Sequence, residues 1–326
     1  MIAPGRPLLG VDVGGTTFEV ILLDGDGRVT AAVEDATPRG VPAAVVVRTV
    51  ATAARAVAAG AGVEPRHLGG VGMAVPGRVD SARGLLRFAP NLPGWREVPV
   101  AALAAEVLET PVALEHDVRM AAFGESRRGA GAGAGSFVCV TVGTGIGAAV
   151  VLDGRLYRGA TDAAGEIGHV PVVADGELCG CGRRGCLETV ASGRAVAERA
   201  RGLATRGEAA ALLACVNGRV EDITAREVFG AAAAGDPACA RVVAAAVAAL
   251  GAGLTVLVNV LNPEAIAVGG GVAAAGAALL DPLRAAVRAS AWTAAAEAVR
   301  IVPAVLGTQA GAIGAALFVA EVLRGC

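Results

Sequence analysis

The sequence contains no lysine; all 28 of its basic residues are arginine. That absence excludes chemistry that needs an ε-amine: a Walker-type phosphate loop with its lysine, a protein kinase, a Schiff-base aldolase or a pyridoxal enzyme. Aromatic residues are scarce at 3%, so the interior must come from aliphatic side chains packed closely around alanine and glycine. Charge of neither sign dominates. With 30 acidic residues the net charge is -2, and no arginine block or stripe appears, which argues against nucleic acid or an anionic membrane as the main partner. No charged and apolar leader with a cleavage site precedes the run at 8–13, so a signal peptide is not expected and a cytoplasmic location is. Seven cysteines in 326 residues are too few for a disulfide framework, and their odd number forbids complete pairing.

What is present is organised by turns. Apolar runs at 8–13, 18–23 and 29–33 predict three strands, joined by Gly14-Gly15 and Asp24-Gly25-Asp26-Gly27. A helix over 42–59, a strand over 69–75, a helix over 98–108 and a strand over 112–115 follow. A helix then runs over 117–127, and 129–135 reads as a flexible surface turn. Residues 170–190 are loop-rich, and the chain is mainly helical from there to Asn262. The uncharged stretch 242–261, closed by Asn259, Asn262 and Pro263, reads as a buried core helix rather than a membrane span. A strand over 265–268, the turn Gly269-Gly270-Gly271 and an apolar helix over 309–323 complete the chain.

One pattern occurs twice. Val11-Asp12-Val13-Gly14-Gly15-Thr16, ending in Leu22-Leu23-Asp24-Gly25, is echoed by Val140-Thr141-Val142-Gly143-Thr144-Gly145, ending in Val151-Leu152-Asp153-Gly154. Two unrelated hairpins could give the same pattern, but the matched spacing favours a duplicated unit. Two such turns facing one cleft could cradle a polyphosphate with their backbone N–H groups, threonine hydroxyls adding donors and Asp12 lying near a cation.

The sharpest local signal is His169 with Cys179, Cys181 and Cys186. Three thiols and an imidazole are a complete tetrahedral set for Zn²⁺ with no position left for water, which makes the expected site structural. Free thiols on a loop, or a Cys179–Cys181 redox pair, are the plainer alternatives.

Taken together, these motifs resemble the ROK family of repressors and sugar kinases, within the actin-like ATPase superfamily. The resemblance is carried by Asp12-Val13-Gly14-Gly15-Thr16, by 73–80, by Asn91-Leu92-Pro93-Gly94-Trp95, by Gly165-Glu166-Ile167-Gly168-His169, by 179–188 and by Gly269-Gly270-Gly271-Val272. It implies a two-lobed α/β fold of the ribonuclease H-like type with duplicated β-hairpin phosphate loops and a zinc-bound loop. Its lobes would span 1–116 and 117–307, with the helix in 308–326 packing back on the first. It also implies an ATP-dependent kinase acting on a hexose hydroxyl, commonly the 6-OH, with MgATP between the lobes. Asp12, Gly14, Gly15, Thr16, Thr17, Thr144, Gly145 and Gly269 to Gly271 would hold the nucleotide and its Mg²⁺. Asp117 would be the catalytic base, although Asp is also favoured at a helix N-cap. Asn91, His116, Asp117, Glu166, His169 and Glu188 would contact the sugar, the two glutamates being otherwise solvated loop carboxylates. Homodimers or homotetramers are common in the family.

Two positions depart from the family pattern. His116 stands where its kinases usually have Asn, and Thr17 where they often have Lys, which keeps open a catalytically weak, sugar-binding regulator. A DNA-binding repressor is not expected, because only seven residues precede the first strand.

Overall fold

The computed structural model describes residues 5–89 and 92–324. The chain forms two compact units: Met1–Gly133 with Leu156–Ala164 and Leu306–Cys326, and Ala134–Arg155 with Gly165–Val305.

In unit 1, β1 (Leu8–Val13), β2 (Thr17–Leu23) and β3 (Val29–Ala36) form an antiparallel meander. β4 (Gly70–Val75) pairs parallel with β1. A small sheet of β5 (Arg78–Asp80), β6 (Leu85–Phe88) and β7 (Arg96–Val98) follows, and β8 (Val112–His116) pairs parallel with β4. The main order is β3-β2-β1-β4-β8.

Alternation along β1 explains its two faces. Leu9, Val11 and Val13 enter a core with Val47, Val50 and Ala54 of the Ala43–Gly60 helix. Leu8 faces Ala312, Ala316 and Val319 of the Ala310–Arg324 helix. That helix lies almost on the strand backbones. A Cβ at Gly10 would overlap the Ala312 carbonyl oxygen, and one at Gly72 the Ala315 carbonyl oxygen. Glycine on the strands and alanine on the helix are thus how a chain poor in aromatics closes this face.

Unit 2 repeats the plan. β9 (Ser136–Val142) and β10 (Ile146–Leu152) form a hairpin, followed by β11 (Arg155–Tyr157), of which Arg155 alone falls within unit 2. β12 (Ala265–Gly269) pairs parallel with β9, and β13 (Arg300–Pro303) with β12. The order β11-β10-β9-β12-β13 matches unit 1 position for position, so the sequence echo extends to the whole sheet. The Pro237–Leu261 helix buries Val242, Ala246, Leu250, Leu254 and Val258, while Val256 and Val260 on its other side are exposed. The expected buried helix is therefore a one-sided one. It and the Ala43–Gly60 helix have the length and apolarity of a membrane span, but each lends a face to a core.

Several features differ from the sequence reading. The small sheet β5–β7 and the strands β11 and β13 are not expected from it, because three- and four-residue strands are too short to show alternation. The Asp117–Arg128 helix lies within unit 1, whereas the sequence reading begins the second lobe there. The turn 129–135 is anchored rather than loose. The Glu125 side chain is fully buried and accepts from Ala130 N at 2.8 Å and Leu306 N at 2.7 Å.

Candidate functional site

The parallel strands of unit 1 present their C-terminal ends together, the usual place for ligands in such sheets. Asp12 stands near the end of β1, beside Ala74 of β4, which in turn pairs with Glu115 of β8. β8 passes into the Asp117–Arg128 helix without a loop, so Asp117 is its first residue and His116 its N-cap. The Asp117 Oδ1 accepts from Val118 N at 2.7 Å, and the His116 Nδ1 lies 3.3 Å from the same oxygen. About a third of the Asp117 side chain is left open to solvent.

Burial, then the nearby Asp117 and Glu19, push the Asp12 carboxyl up to about 8. A carboxyl this deeply buried beside other carboxylates is ionised only at a cost, which a cation facing it would offset. Glu19 is also raised by burial, against a hydrogen bond from Gln309 Nε2 at 3.2 Å.

The turn after β1 is closed by Gly14 N to Thr17 O at 2.8 Å. The Thr37 hydroxyl donates to Gly14 O at 2.9 Å, and Thr37 N to Thr16 O. Gly14, Gly15, Thr16 and Thr17 are thus held in one braced turn. Thr37 escapes sequence reasoning because two strands, β2 and β3, separate it from the turn.

In unit 2 the turn after β9 holds Thr144 and Gly145. Gly193 N, opening the Gly193–Thr205 helix, donates to Gly143 O at 2.7 Å. Gly269 pairs with Thr141, and at Gly270 (φ +85°) a Cβ would crowd the Val142 carbonyl. Gly269 and Gly270 therefore sit against the end of β9, two residues before the turn of Thr144 and Gly145, and Gly193 at the helix N-terminus lies close to Val272, next to Gly271. A cavity of about 460 Å³ adjoins them, lined by Arg226, Phe229, Gly271, Val272 and Ala275 among others. Ser192 before Gly193 is a readable helix start, and its Oγ caps Ala195 N. Nothing in sequence marks Arg226 or Phe229, because only the fold shows which side of their helix borders a cavity.

Glu188 reaches the same turn. Its Oε2 accepts from Ile146 N at 3.0 Å, and a Cβ at Gly145 would meet that oxygen. Glu166 is largely exposed and lies 3.8 Å from the Nε2 of His169.

The imidazole's other nitrogen faces the thiols. His169 Nδ1 is 3.6 Å from Cys179 Sγ, Cys181 Sγ is 3.6 Å from Cys186 Sγ, and all four ligand atoms lie within 4.8 Å of one another. A tetrahedral ion with ordinary Zn–S and Zn–N lengths needs edges of about 3.8 Å between sulfurs and about 3.6 Å between sulfur and nitrogen. The four residues fit such an ion. Burial and the neighbouring thiols push the Cys186 thiol up to about 12, while a backbone N–H at Arg183 draws Cys181 down. A cation here would supply the positive charge that lets all three ionise. Asn91 lies outside the described residues.

Two α/β units of one strand order, each with a glycine turn at the ends of its parallel strands, define an actin-like ATPase fold. The chain belongs to the ROK family, whose model matches residues 8–322. It is 36% identical to a glucokinase of Halalkalibacterium halodurans over 313 residues, 95% of this chain and 93% of that one. The crystal structure of a ROK family glucokinase from Streptomyces griseus in complex with glucose and AMPPNP is similar at a TM-score of 0.80 and 38% identity, covering 96% of this chain and 98% of that one. The ROK hexokinase of Thermus thermophilus matches at 0.82 and 34%, covering 98% and 100%.

Proposed function

We propose that this protein is an ATP-dependent sugar kinase that transfers the γ-phosphoryl group to the 6-hydroxyl of a hexose. The observation that carries the reading is whole-length kinship with glucokinases in a chain that also presents Asp117, part-exposed, at the head of a helix.

In this reading the sugar hydroxyl lies against Asp117. As the hydroxyl oxygen bonds to the γ-phosphorus, its proton passes to the Asp117 carboxylate, the bond to the β-phosphate oxygen breaks and ADP leaves. The turns at Gly14 to Thr17 and Thr144 to Gly145 offer backbone N–H groups to the phosphates, and the cavity beside Gly271 takes the nucleoside. Mg²⁺ carried with ATP supplies charge neutralisation, and Asp12 is the group that would face it. Glu166, His169 and Glu188 orient the sugar, the Nε2 of His169 being the nitrogen turned away from the thiols. A structural Zn²⁺ on His169, Cys179, Cys181 and Cys186 fixes that loop.

His116 and Thr17 favour a second reading, a regulator that binds sugar without turning it over. ADP release measured across a hexose panel with MgATP separates the two. Turnover on at least one sugar is expected; saturable sugar binding with no ADP formed would instead support the regulator.

A further inference from the structure

Glu115 and Arg119 flank Asp117 by two residues on either side, and their side chains meet across the corner it occupies. The Glu115 side chain is completely buried and that of Arg119 nearly so, and Arg119 Nη1 donates to Glu115 Oε1 at 2.7 Å. The same oxygen accepts from His116 N at 2.8 Å. The other oxygen, Oε2, accepts from Arg158 Nε at 2.7 Å. Burial alone would raise this carboxyl, but the two guanidiniums and the His116 N–H outweigh it and hold it below the usual range. The group is a buried, fully bonded anion.

Arg158 comes from a separate segment. Residues Leu156–Ala164 belong to unit 1, although the chain on both sides of them belongs to unit 2. Ala164 N closes the segment on Arg158 O at 3.0 Å. Arg119 also donates to the Asp162 carbonyl oxygen, and its guanidinium lies 4.0 Å from the Asp162 carboxylate. Arg158 further stacks 5.5 Å over the Phe318 ring. Four residues past Asp162 the chain reaches Glu166. One carboxylate therefore ties down the backbone on both sides of Asp117 and the segment that leads to Glu166. Buried ion clusters of this kind are poor net stabilisers compared with apolar packing, so what this one supplies is defined geometry.

We infer that Glu115, with Arg119 and Arg158, is a positioning clamp that holds Asp117 in line for proton transfer, an inference that rests on Asp117 being the base. Displacement of a reacting group by about 1 Å can cost on the order of 10²-fold in rate.

The test compares Glu115→Gln, Arg158→Gln, Asp117→Asn and the double variant Glu115→Gln/Asp117→Asn by kcat, KM for each substrate and thermal midpoint. Expected are a kcat at least about tenfold lower in Glu115→Gln, with KM for ATP within about twofold, and a similar but smaller loss in Arg158→Gln. Arg158 is part-exposed, so its variant keeps the test valid if Glu115→Gln does not fold. Because the clamp acts through Asp117, Glu115→Gln should cost almost nothing further in the Asp117→Asn background. Losses that multiply in the double variant, or a kcat near wild type in folded Glu115→Gln or Arg158→Gln, overturn the clamp and leave Asp117 as base. Wild-type turnover in Asp117→Asn overturns the base and the clamp together.

Discussion

Emptying the proposed zinc site in the loop between His169 and Glu188 is the perturbation whose size follows most directly from the structure. Among residues 170–184 only Cys179 is buried, so almost no apolar burial offsets the cost of ordering them. At about 1 kcal/mol per residue that cost is about 15 kcal/mol. The backbone bonds Val172 N to Gly185 O, Cys179 N to Arg183 O, Gly182 N to Cys179 O and Gly185 N to Glu177 O return about 4 kcal/mol together. A structural zinc contributes about 10–16 kcal/mol, which closes the gap. Chelation, or Cys186→Ser, should therefore melt this loop while both sheets stay folded. Hydrogen exchange read by peptide should show protection lost at Val172 and Cys179 and kept in β9 and β12. Because His169 anchors the loop and is a proposed sugar contact, sugar affinity should fall at least about tenfold. Unchanged protection and affinity in protein verified to be free of metal would refute the reasoning.

Three further outcomes are expected. Asp12 is raised from its ordinary 3.8 to about 8, so the folded chain keeps a proton that the unfolded chain loses. The stability this contributes is complete below pH 4 and is lost as pH rises through about 8, by up to about 1.4 kcal/mol per unit. Urea unfolding of the metal- and nucleotide-free protein at pH 5 and 7.5 should show a steeper fall in wild type than in Asp12→Asn; parallel curves would count against it. His116→Asn should shift relative kcat/KM among epimeric and N-acetylated hexoses more than it alters KM for ATP, because an amide presents a different donor and acceptor pattern beside Asp117. An unchanged profile with altered stability alone would assign His116 to packing. Gly72→Ala should destabilise unit 1 by about 1–3 kcal/mol, since its Cβ would overlap the Ala315 carbonyl oxygen; a thermal midpoint equal to wild type would contradict that close approach.

The elements legible in sequence are those with long apolar periods or glycine punctuation. β1, β2, β4 and β8, the helices after them and the paired turns at Gly14 and Gly143 all belong to this group. The cluster of His169 with Cys179, Cys181 and Cys186 is legible too, because all four are metal-ligating residue types and lie close in sequence. Interactions that join distant residues are not. Thr37 braces a turn from across the meander, and Glu125 pins the turn at 130 and the chain at 306. Arg158 answers a carboxylate 43 residues away. Each is an ordinary polar residue in an ordinary local pattern, and only the packed chain reveals its partner. Glu188 shows the same limit from the other side. It is singled out by its motif, yet its bond to Ile146 N beside Gly145 is visible only once the turn and the short helix are folded together.

The central claim is that Asp117 accepts the proton of a sugar hydroxyl as it takes the γ-phosphoryl group of ATP. Transfer of labelled γ-phosphate to a hexose should be followed in wild type and Asp117→Asn in a single turnover, with sugar binding measured on the same preparations. The account predicts a labelled 6-phosphorylated sugar from wild type, and from Asp117→Asn a rate lower by about 10²–10⁴-fold with sugar affinity largely kept. Transfer by Asp117→Asn at close to the wild-type rate would contradict it.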